Sequence, residues 1–552
     1  MPGHRVLPVL LFVLTPTPSV AQVVTSPATH SGRSTVYAPR GAVATSQPLA
    51  TGAALSIMEA GGNAIDAAVA AAAVLNVTEP HMTGMGGDMF ALLWSAAEER
   101  LVGLDASGRA GSKASAEALV AAGATSVPGS GPASVTVPGA LSGWSALLER
   151  YGTMTLAEVL APAIRIAEEG FPVTPIIAQD WQGQVEKLRR DPGAAATFLL
   201  DGEAPRAGDW FSNPDLGRSF RRVARGGIGE FYGGALGREV VDGLDAMGGY
   251  LTLDDLRNHE VRWVTPLSMD YKGYTLWELP PSGQGVAALQ MLKMLEDFDL
   301  RGMGHNSAAY LHTLIEAKKL AYADLDRYVA DPDHMDVTVG QLLDPEYIRR
   351  RAALIDPSHA AERADPGDPA TASETIYLSV ADEDGNMVSF INSVFGYFGS
   401  GVVIPGTGFI LQNRGAGFTL EEGHPNRIAA GKRPFHTIIP AFVTKGGEPW
   451  LAYGVMGGAM QPQGHVQVLL NLVEFGMDLQ EAIDAARFRH FSGTRVAIEG
   501  VDQEVLDGLS VLGHDLRDPA GIAFGGGQAV MKLEKGWAAG SDPRKDGMAA
   551  GR

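Results

Sequence analysis

Thr375 is the residue of this chain whose type and setting could supply a nucleophile. It follows a stretch rich in Pro, Asp and Gly at 355–374, typical of an exposed loop, and it begins an apolar run that predicts a β-strand over 375–381. If the chain breaks between Glu374 and Thr375, the threonine gains an α-amine with a pKa of about 7.7–8.0. That amine can act as base for the threonine's own hydroxyl. The sequence therefore favours a protein that cuts itself to make its nucleophile.

A second hydroxyl and a pair of glycines lie downstream of this threonine. Ser393 ends a second predicted strand, 387–394, and a strand, a turn and a strand would bring it back beside Thr375. Gly457 and Gly458 follow another predicted strand at 449–455. Successive amide N–H groups with no Cβ in the way can point at a developing oxyanion.

Several further motifs occur in order along nearly the whole chain. They are Gly-Gly-Asn-Ala-Ile-Asp-Ala-Ala at 61–68, Gly-Met-Gly-Gly-Asp-Met-Phe at 84–90, Val-Pro-Gly at 137–139, Tyr-Gly-Thr-Met at 151–154, Pro-Pro-Ser-Gly-Gln-Gly at 280–285, Glu-Ala-Lys-Lys-Leu-Ala-Tyr-Ala-Asp at 316–324 and Ser-Asp-Pro-Arg-Lys-Asp-Gly at 541–547. Any one of them alone is weak evidence. As an ordered set they resemble the γ-glutamyltransferase (γ-glutamyltranspeptidase) family of N-terminal-nucleophile hydrolases.

The resemblance implies a fold, a division of the chain and several roles. The fold is α+β, a four-layer αββα sandwich with a single core shared by both subunits. Residues 22–374 form the large subunit and 375–552 the small one, which stay together as a heterodimer. Thr375 is then the nucleophile, Ser393 helps to orient it, and Gly457 and Gly458 match the oxyanion loop. The resemblance implies no cofactor.

The substrate pocket is where the chain departs from the family. The family's arginine for the substrate α-carboxylate is matched by Ser107, with Arg109 two residues later. Alternate residues of a strand share a face, so Arg109 is expected to reach the same pocket. The family residues that receive the α-amino group are matched by Arg414, next to Asn413, and by Gly417.

A pair of serines that binds the carboxylate in the family is matched here by His436 and Thr437. The acceptor and the anion for a substrate ammonium are thus gone, and Arg414 takes their place. Guanidinium binds carboxylate through paired hydrogen bonds and disfavours ammonium. The pocket is expected to suit an acid-bearing amide without an α-amino group.

The lid over the pocket is also altered. Residues 418–428 form a shorter segment than the family's usual lid, which favours hydrolysis over transfer. Three substrate classes stay open: γ-glutamyl compounds such as glutathione, a small acid amide such as oxamate, and a cephalosporin-type acyl amide. A rival from another class is a binding protein that keeps the fold and never cuts itself.

Local patterns predict the elements around these residues. The Ala-rich stretch 47–76 is interrupted by two glycines and predicts two helices, 89–94 and 101–105 predict a hairpin, and 153–170, 463–474 and 479–487 predict helices. Further strands are expected at 402–404, 408–412 and 436–444. In a predicted helix over 308–328, a polar set is expected to face outward: Glu316, Lys318, Lys319, Asp324, Asp326 and Arg327.

Composition and the N-terminus bear on partners and compartment. The 552 residues carry a net charge of −20, which argues against nucleic acid or an anionic membrane as partner. A basic pair, an apolar run and a small-x-small site at 1–21 predict a signal peptide and a periplasmic or secreted protein. The expected partner is a small-molecule amide; further dimerisation is left open.

Metal and nucleotide sites are not expected. The chain has no cysteine and its 13 histidines show no clustered ligand spacing, so no metal site is predicted. The glycines at 84–87 lack the Lys-Ser/Thr of a phosphate loop.

Overall fold

The computed structural model describes residues 32–364 and 375–552. The predicted signal peptide at 1–21 and Glu374 lie outside the described residues. The strands, in chain order, are β1 (Val36–Ala38), β2 (Ala42–Thr45), β3 (Asp88–Ser95), β4 (Arg100–Ala106), β5 (Phe171–Pro172), β6 (Trp210–Phe211), β7 (Arg262–Val264), β8 (Leu267–Tyr271), β9 (Tyr274–Glu278), β10 (Ile376–Ala381), β11 (Met387–Ser393), β12 (Ala441–Lys445), β13 (Glu448–Met456), β14 (Phe488–His490), β15 (Arg495–Ile498), β16 (Asp515–Arg517), β17 (Gly526–Lys532), β18 (Trp537–Ser541) and β19 (Met548–Gly551).

The α-helices are distributed along the whole described chain. They are α1 (Pro48–Glu59), α2 (Ala64–Thr78), α3 (Ala116–Ala121), α4 (Ala140–Tyr151), α5 (Leu156–Glu169), α6 (Pro175–Gln182), α7 (Val185–Leu188), α8 (Pro192–Phe198), α9 (Pro214–Gly226), α10 (Gly229–Tyr232), α11 (Ala235–Ala246), α12 (Leu253–Arg257), α13 (Gly285–Met294), α14 (Leu300–Met303), α15 (Ala308–Tyr328), α16 (Val339–Leu342), α17 (Pro345–Ala352), α18 (Met460–Val473), α19 (Leu479–Asp484) and α20 (Gln503–Val511).

Two seven-stranded antiparallel sheets form the middle of the molecule. The first has the order β1-β18-β17-β13-β12-β9-β8, and the second has the order β19-β2-β10-β11-β3-β4-β7. The sheets face each other, since β10 packs on β13 and β17. Helices α1, α2 and α4 cover the outer face of the second sheet, while α13, α18 and α19 cover that of the first. The architecture is the predicted α+β sandwich of four αββα layers.

Several predicted elements are confirmed. The helix pair α1 and α2 is separated at Gly61, which has a φ of +96°, and α2 begins with a capping box between Asn63 and Asp66. Strands β3 and β4 form the expected hairpin, as do β10 and β11. No helix of the described residues is long and apolar enough to cross a membrane.

Two local predictions are wrong. Residues 402–404 and 408–412 are buried but form loops instead of strands. In α15, Glu316, Lys318 and Lys319 are buried instead of facing outward, as is Asp324. The reason is that α15 lies behind α13 and is covered in turn by α20 and β14, so that little of its surface reaches water.

Candidate active site

Thr375 lies at the start of the central hairpin, opposite the end of its partner strand. Ile376 pairs with Asn392, which places Thr375 across from Ser393. The Thr375 hydroxyl donates a hydrogen bond of 3.1 Å to Ser393 Oγ, and both residues are fully buried. The donated bond orients the Thr375 oxygen and leaves its lone pairs for attack on a carbonyl carbon. The predicted proximity of the two hydroxyls is therefore confirmed.

The turn of this hairpin is tied to the helix layer by one carboxylate. Asp382 accepts bonds from the backbone N–H groups of Asp384 and Asn386, at 3.1 and 3.0 Å. Its other oxygen accepts from the backbone of Ala64, the first residue of α2, at 2.8 Å. The strand that carries Thr375 is thus fixed at its far end as well.

Asp88 is a buried carboxylate beside this pair of hydroxyls. It begins β3 and pairs with Ser393 in the ladder between β3 and β11. Its Oδ1 accepts from the N–H groups of Gly108 and Gly139, at 3.0 and 3.3 Å. Its Oδ2 lies 2.9 Å from His436 Nε2. Four segments of the chain therefore converge on one anion.

Arg414 supplies the positive charge of the site. Its side chain is fully buried, with Nη1 donating to Thr437 Oγ1 at 3.0 Å and Nε at 4.0 Å from Asp88 Oδ2. Its guanidinium carbon lies 4.4 Å from the centre of the Phe395 ring. Burial lowers the pKa of Arg414 to about 10, against the effect of Asp88, so the side chain stays charged at neutral pH.

The guanidinium of Arg414 is incompletely satisfied. Within the described part of the chain, Nε and Nη2 have no hydrogen-bond partner. A buried N–H group of a cation without an acceptor is costly. Arg414 therefore has capacity for a further acceptor, and a carboxylate matches its geometry.

His436 links Asp88 to the loop before β12. Its Nδ1 donates to the carbonyl of Pro434 at 2.7 Å while Nε2 faces Asp88. Burial and the charge of Arg414 lower the pKa of His436, and the hydrogen bond with Asp88 opposes them. His436 thus helps to hold Asp88 in place.

The two glycines predicted for the oxyanion loop join β13 to α18. Gly457 and Gly458 have φ values of +127° and +61°, a region that favours glycine. Their carbonyls accept from the N–H groups of Met460 and Gln461, in the first turn of α18. Gln284 donates to the carbonyls of Gly458, at 2.8 Å, and Thr437, at 2.5 Å, and so connects this loop to Arg414.

Ser107 and Asn413 are two further residues that were predicted for the pocket. Ser107 is fully buried next to Gly108, and its hydroxyl has no hydrogen-bond partner within the described residues. Asn413 is structural in its contacts, receiving the N–H of Gly396 at 2.9 Å and donating to the carbonyl of Gly129 at 2.7 Å.

Arg109 points elsewhere. It lies beyond the end of β4, its guanidinium donates to the carbonyl of Gly431 at 2.7 Å, and it lies 3.7 Å from Asp331. Its side chain is 41% exposed. No contact found within 32–364 and 375–552 joins it to Thr375 or Arg414, so the idea that it shares their pocket gains no support.

Sequence reasoning missed three contributors: Asp88, Gln284 and Phe395. Asp88 and Gln284 stand inside motifs that were noticed but given no role. A lone acid between glycines and an apolar strand was a usable signal, because such a carboxylate is buried and needs donors. Phe395, with a φ of +78° and its N–H donating to Ser393 Oγ at 2.8 Å, had no signal in the sequence.

Comparison with known proteins finds relatives that are described as hydrolase and amidohydrolase proenzymes and as an acylase. The family model described as gamma-glutamyltranspeptidase matches residues 50–552. A "Glutathione hydrolase-like YwrD proenzyme" of Bacillus subtilis is 37% identical, covering 91% of this chain and 97% of the relative. An "Oxamate amidohydrolase proenzyme" of Klebsiella pneumoniae is 38% identical with the same coverages. The crystal structure of a cephalosporin acylase from Bacillus halodurans superposes with a TM-score of 0.90 at 42% identity, covering 95% of this chain and 97% of that one.

Proposed function

We propose, because this chain belongs to the gamma-glutamyltranspeptidase family, that it cuts itself before Thr375 and then hydrolyses amides through an acyl-threonine intermediate. The observation that carries the proposal is the buried Thr375 hydroxyl, oriented by Ser393 at 3.1 Å at the start of a central strand. Three relatives named above are a hydrolase, an amidohydrolase and an acylase, two of them as proenzymes. Their shared chemistry is the cleavage of an amide.

The first step makes the nucleophile. Thr375 Oγ attacks the carbonyl carbon of Glu374, the C–N bond breaks, and the acyl group moves from nitrogen to oxygen while the nitrogen takes a proton. Water then hydrolyses the ester, which releases the Glu374 carboxylate and restores the Thr375 hydroxyl. Glu374 lies outside the described residues, so this step rests on Thr375 and its neighbours.

The second step uses the freed α-amine as base. Thr375 Oγ gives its proton to that amine as it attacks the substrate carbonyl, and the amine passes the proton to the leaving nitrogen. We assign the N–H groups of Gly457 and Gly458 to the oxyanion, where one such donor contributes roughly 3–4 kcal/mol to the transition state. Water hydrolyses the acyl ester and completes the cycle.

The substrate class follows from Arg414. Its unpartnered Nε and Nη2 suit a carboxylate on the acyl side of the amide, and its charge repels an ammonium. We therefore favour acyl groups that bear a carboxylate and lack an α-amino group. Hydrolysis or transfer of γ-glutamyl groups is the competing reading, and export through the N-terminal segment remains part of the proposal.

One experiment tests the activity and the substrate together. The purified chain is incubated at neutral pH and weighed by intact mass spectrometry, then assayed with glutaryl-p-nitroanilide and γ-glutamyl-p-nitroanilide, which differ only in the α-amino group. We expect two fragments, the smaller beginning at Thr375, and faster release from the glutaryl compound. Glycylglycine should not accelerate release.

The matched control is Thr375→Ala, which should remain one folded, inactive chain. Cutting at the same bond in that variant would remove Thr375 from the mechanism. A wild-type chain that never cuts would support the binding-protein alternative. Preference for the γ-glutamyl compound, with acceleration by the dipeptide, would replace the substrate proposal with transfer and leave the self-cutting intact.

A further inference from the structure

We propose that His312, Glu316 and His514 form a binding site for a zinc ion, remote in the chain from Thr375 and its neighbours. His312 and Glu316 belong to α15, and His514 follows α20 just before β16. All three side chains are buried. One possible ligand atom from each lies within 4.8 Å of those from the other two.

The helix supplies two ligands on one face. Residues four apart on an α-helix stand above one another, so His312 and Glu316 project in the same direction. The spacing was present in the sequence, but the polar side of α15 was expected to face solvent. The structure instead turns it inward, where His514 meets it.

The tautomers of the two histidines decide whether they can share a cation. His312 Nε2 lies 2.7 Å from the carbonyl of Asp356, which can only accept, so Nε2 carries the proton and Nδ1 carries a lone pair. His514 Nε2 lies 2.8 Å from that Nδ1. A backbone acceptor on the far nitrogen is the usual support of a metal-bound histidine.

The alternative is a direct hydrogen bond from His514 Nε2 to His312 Nδ1. It leaves His514 Nδ1 as a buried lone pair, and that atom has no hydrogen-bond partner within 32–364 and 375–552. With the proton on Nδ1 instead, that atom is a buried donor without an acceptor among the described residues, and the two facing nitrogens both offer lone pairs to a cation. Two nitrogens bound to a tetrahedral zinc at about 2.0–2.1 Å stand roughly 3.3 Å apart, a small opening from the present 2.8 Å.

Both carboxylate oxygens of Glu316 accept hydrogen bonds that fix its side chain. Its Oε1 accepts from Lys319 Nζ at 2.7 Å, and its Oε2 accepts from the N–H of Ala361 at 3.2 Å. Each oxygen keeps a second lone pair. The positive charge of the Lys319 ammonium disfavours the binding of a metal ion at Glu316. Lys319 Nζ also donates to the carbonyl of Ala361, at 2.8 Å.

The donor set selects the ion. Two imidazoles and a carboxylate are ligands that zinc accepts, with water in the fourth position. A cleft of about 790 Å³ lies next to the cluster and is lined by Lys319, His359 and Gly513 among others. Because His312 and Glu316 precede Thr375 while His514 follows it, the ion would join the two sides of the proposed cut.

The test uses the full chain, stripped with EDTA and dialysed. Zinc is titrated calorimetrically, and cobalt(II) is added as a spectroscopic probe whose visible absorption is intense in a tetrahedral site. We expect one zinc per chain and a higher Tm with zinc than after chelation. Glu316→Gln and His514→Phe should each raise the dissociation constant for zinc by roughly 100-fold or more.

The matched control is His334→Ala, which removes an exposed histidine and should bind zinc like the wild type. The Tm of each variant without metal reports whether it has folded, and the wild-type titration stands even if one variant does not. Three results would overturn the proposal. They are no zinc binding by the wild type, a cobalt spectrum of octahedral type, or a zinc affinity in Glu316→Gln and His514→Phe equal to that of the wild type.

Discussion

At the scale of single residues, the candidate site is a set of opposite charges arranged around two neutral hydroxyls. Asp88 accepts hydrogen bonds from two backbone N–H groups and lies 2.9 Å from His436 Nε2, while Arg414, at 4.0 Å, keeps Nε and Nη2 without an acceptor among the described residues. The hydroxyls of Thr375 and Ser393 therefore lie next to a buried guanidinium whose hydrogen-bonding capacity is unfilled. A substrate carboxylate would supply the missing acceptors, and for this reason we assign the selection of the acyl group to Arg414.

Replacing Arg414 tests that role directly. Arg414→Gln keeps a donor but loses the charge, so a charge-assisted bond of roughly 1.5–3 kcal/mol should disappear. We expect kcat/KM for glutaryl-p-nitroanilide to fall by roughly 10- to 150-fold, with self-cutting retained and the preference over the γ-glutamyl compound reduced.

The control is Arg100→Gln, an exposed arginine paired with Glu98. It should leave both rates unchanged. If Arg109→Gln lost this kcat/KM while Arg414→Gln stayed near the wild type, Arg109 would be the residue that binds the substrate carboxylate. That result would contradict the assignment to Arg414.

At the scale of elements, strand and helix ends place the functional groups. Thr375 precedes β10, Ser393 ends β11, Asp88 begins β3, and Gly458 lies between β13 and α18. Ends are where backbone groups lack partners, so side chains and ligands can use them. At the end of α2, the last turn is followed by Glu79, a carboxylate that is almost fully buried.

Glu79 should make stability depend on pH. Burial raises the pKa of Glu79 to about 7, against the hydrogen bond from Ser46 and the charge of Lys545. Asp180 and Asp546 also raise it. The folded state thus holds a proton that the unfolded chain releases above about 4.5. Stability from this group is fully present below that pH and is lost as pH rises through 7, by roughly 3 kcal/mol.

Glu79→Gln should remove this dependence, since a neutral amide keeps an acceptor for Ser46. In a Thr375→Ala background, which avoids mixtures of cut and uncut chains, we expect the Tm difference between pH 5 and pH 8 to shrink. Glu59→Gln, at the exposed end of α1, is the matched control. An unchanged difference in Glu79→Gln would mean that the carboxylate is already ionised when folded.

The sequence could predict those elements that depend on interactions between residues near each other in the chain. The break between α1 and α2 and the hairpin that joins Thr375 to Ser393 arise from neighbouring residues, and both were predicted. The inward face of α15 was missed, because Lys319 and Glu316 satisfy each other inside the protein and no local pattern signals that pairing. The direction of Arg109 was equally hidden, since its acceptor Gly431 lies far along the chain.

At the scale of the whole molecule, the two sides of the proposed cut are interleaved. In the second sheet, β10 and β11 come after the cut and lie between β2 and β3, which come before it. In the first sheet, β18, β17, β13 and β12 come after the cut and lie between β1 and β9, which come before it, so the same mixing occurs there. Neither fragment could keep its half of a sheet alone without exposing unpaired strand edges and the apolar faces between the layers.

The cut should therefore leave the molecule in one piece. Fully processed protein is expected to elute from size exclusion at the volume of the uncut Thr375→Ala chain, and to give two bands only after denaturation. We expect it to keep the backbone ladders and buried contacts of the uncut chain, so only a denaturant that opens both sheets should release the fragments. Two separate peaks in native buffer, each with one fragment, would show that the shared sheets do not hold the halves together once the chain is broken.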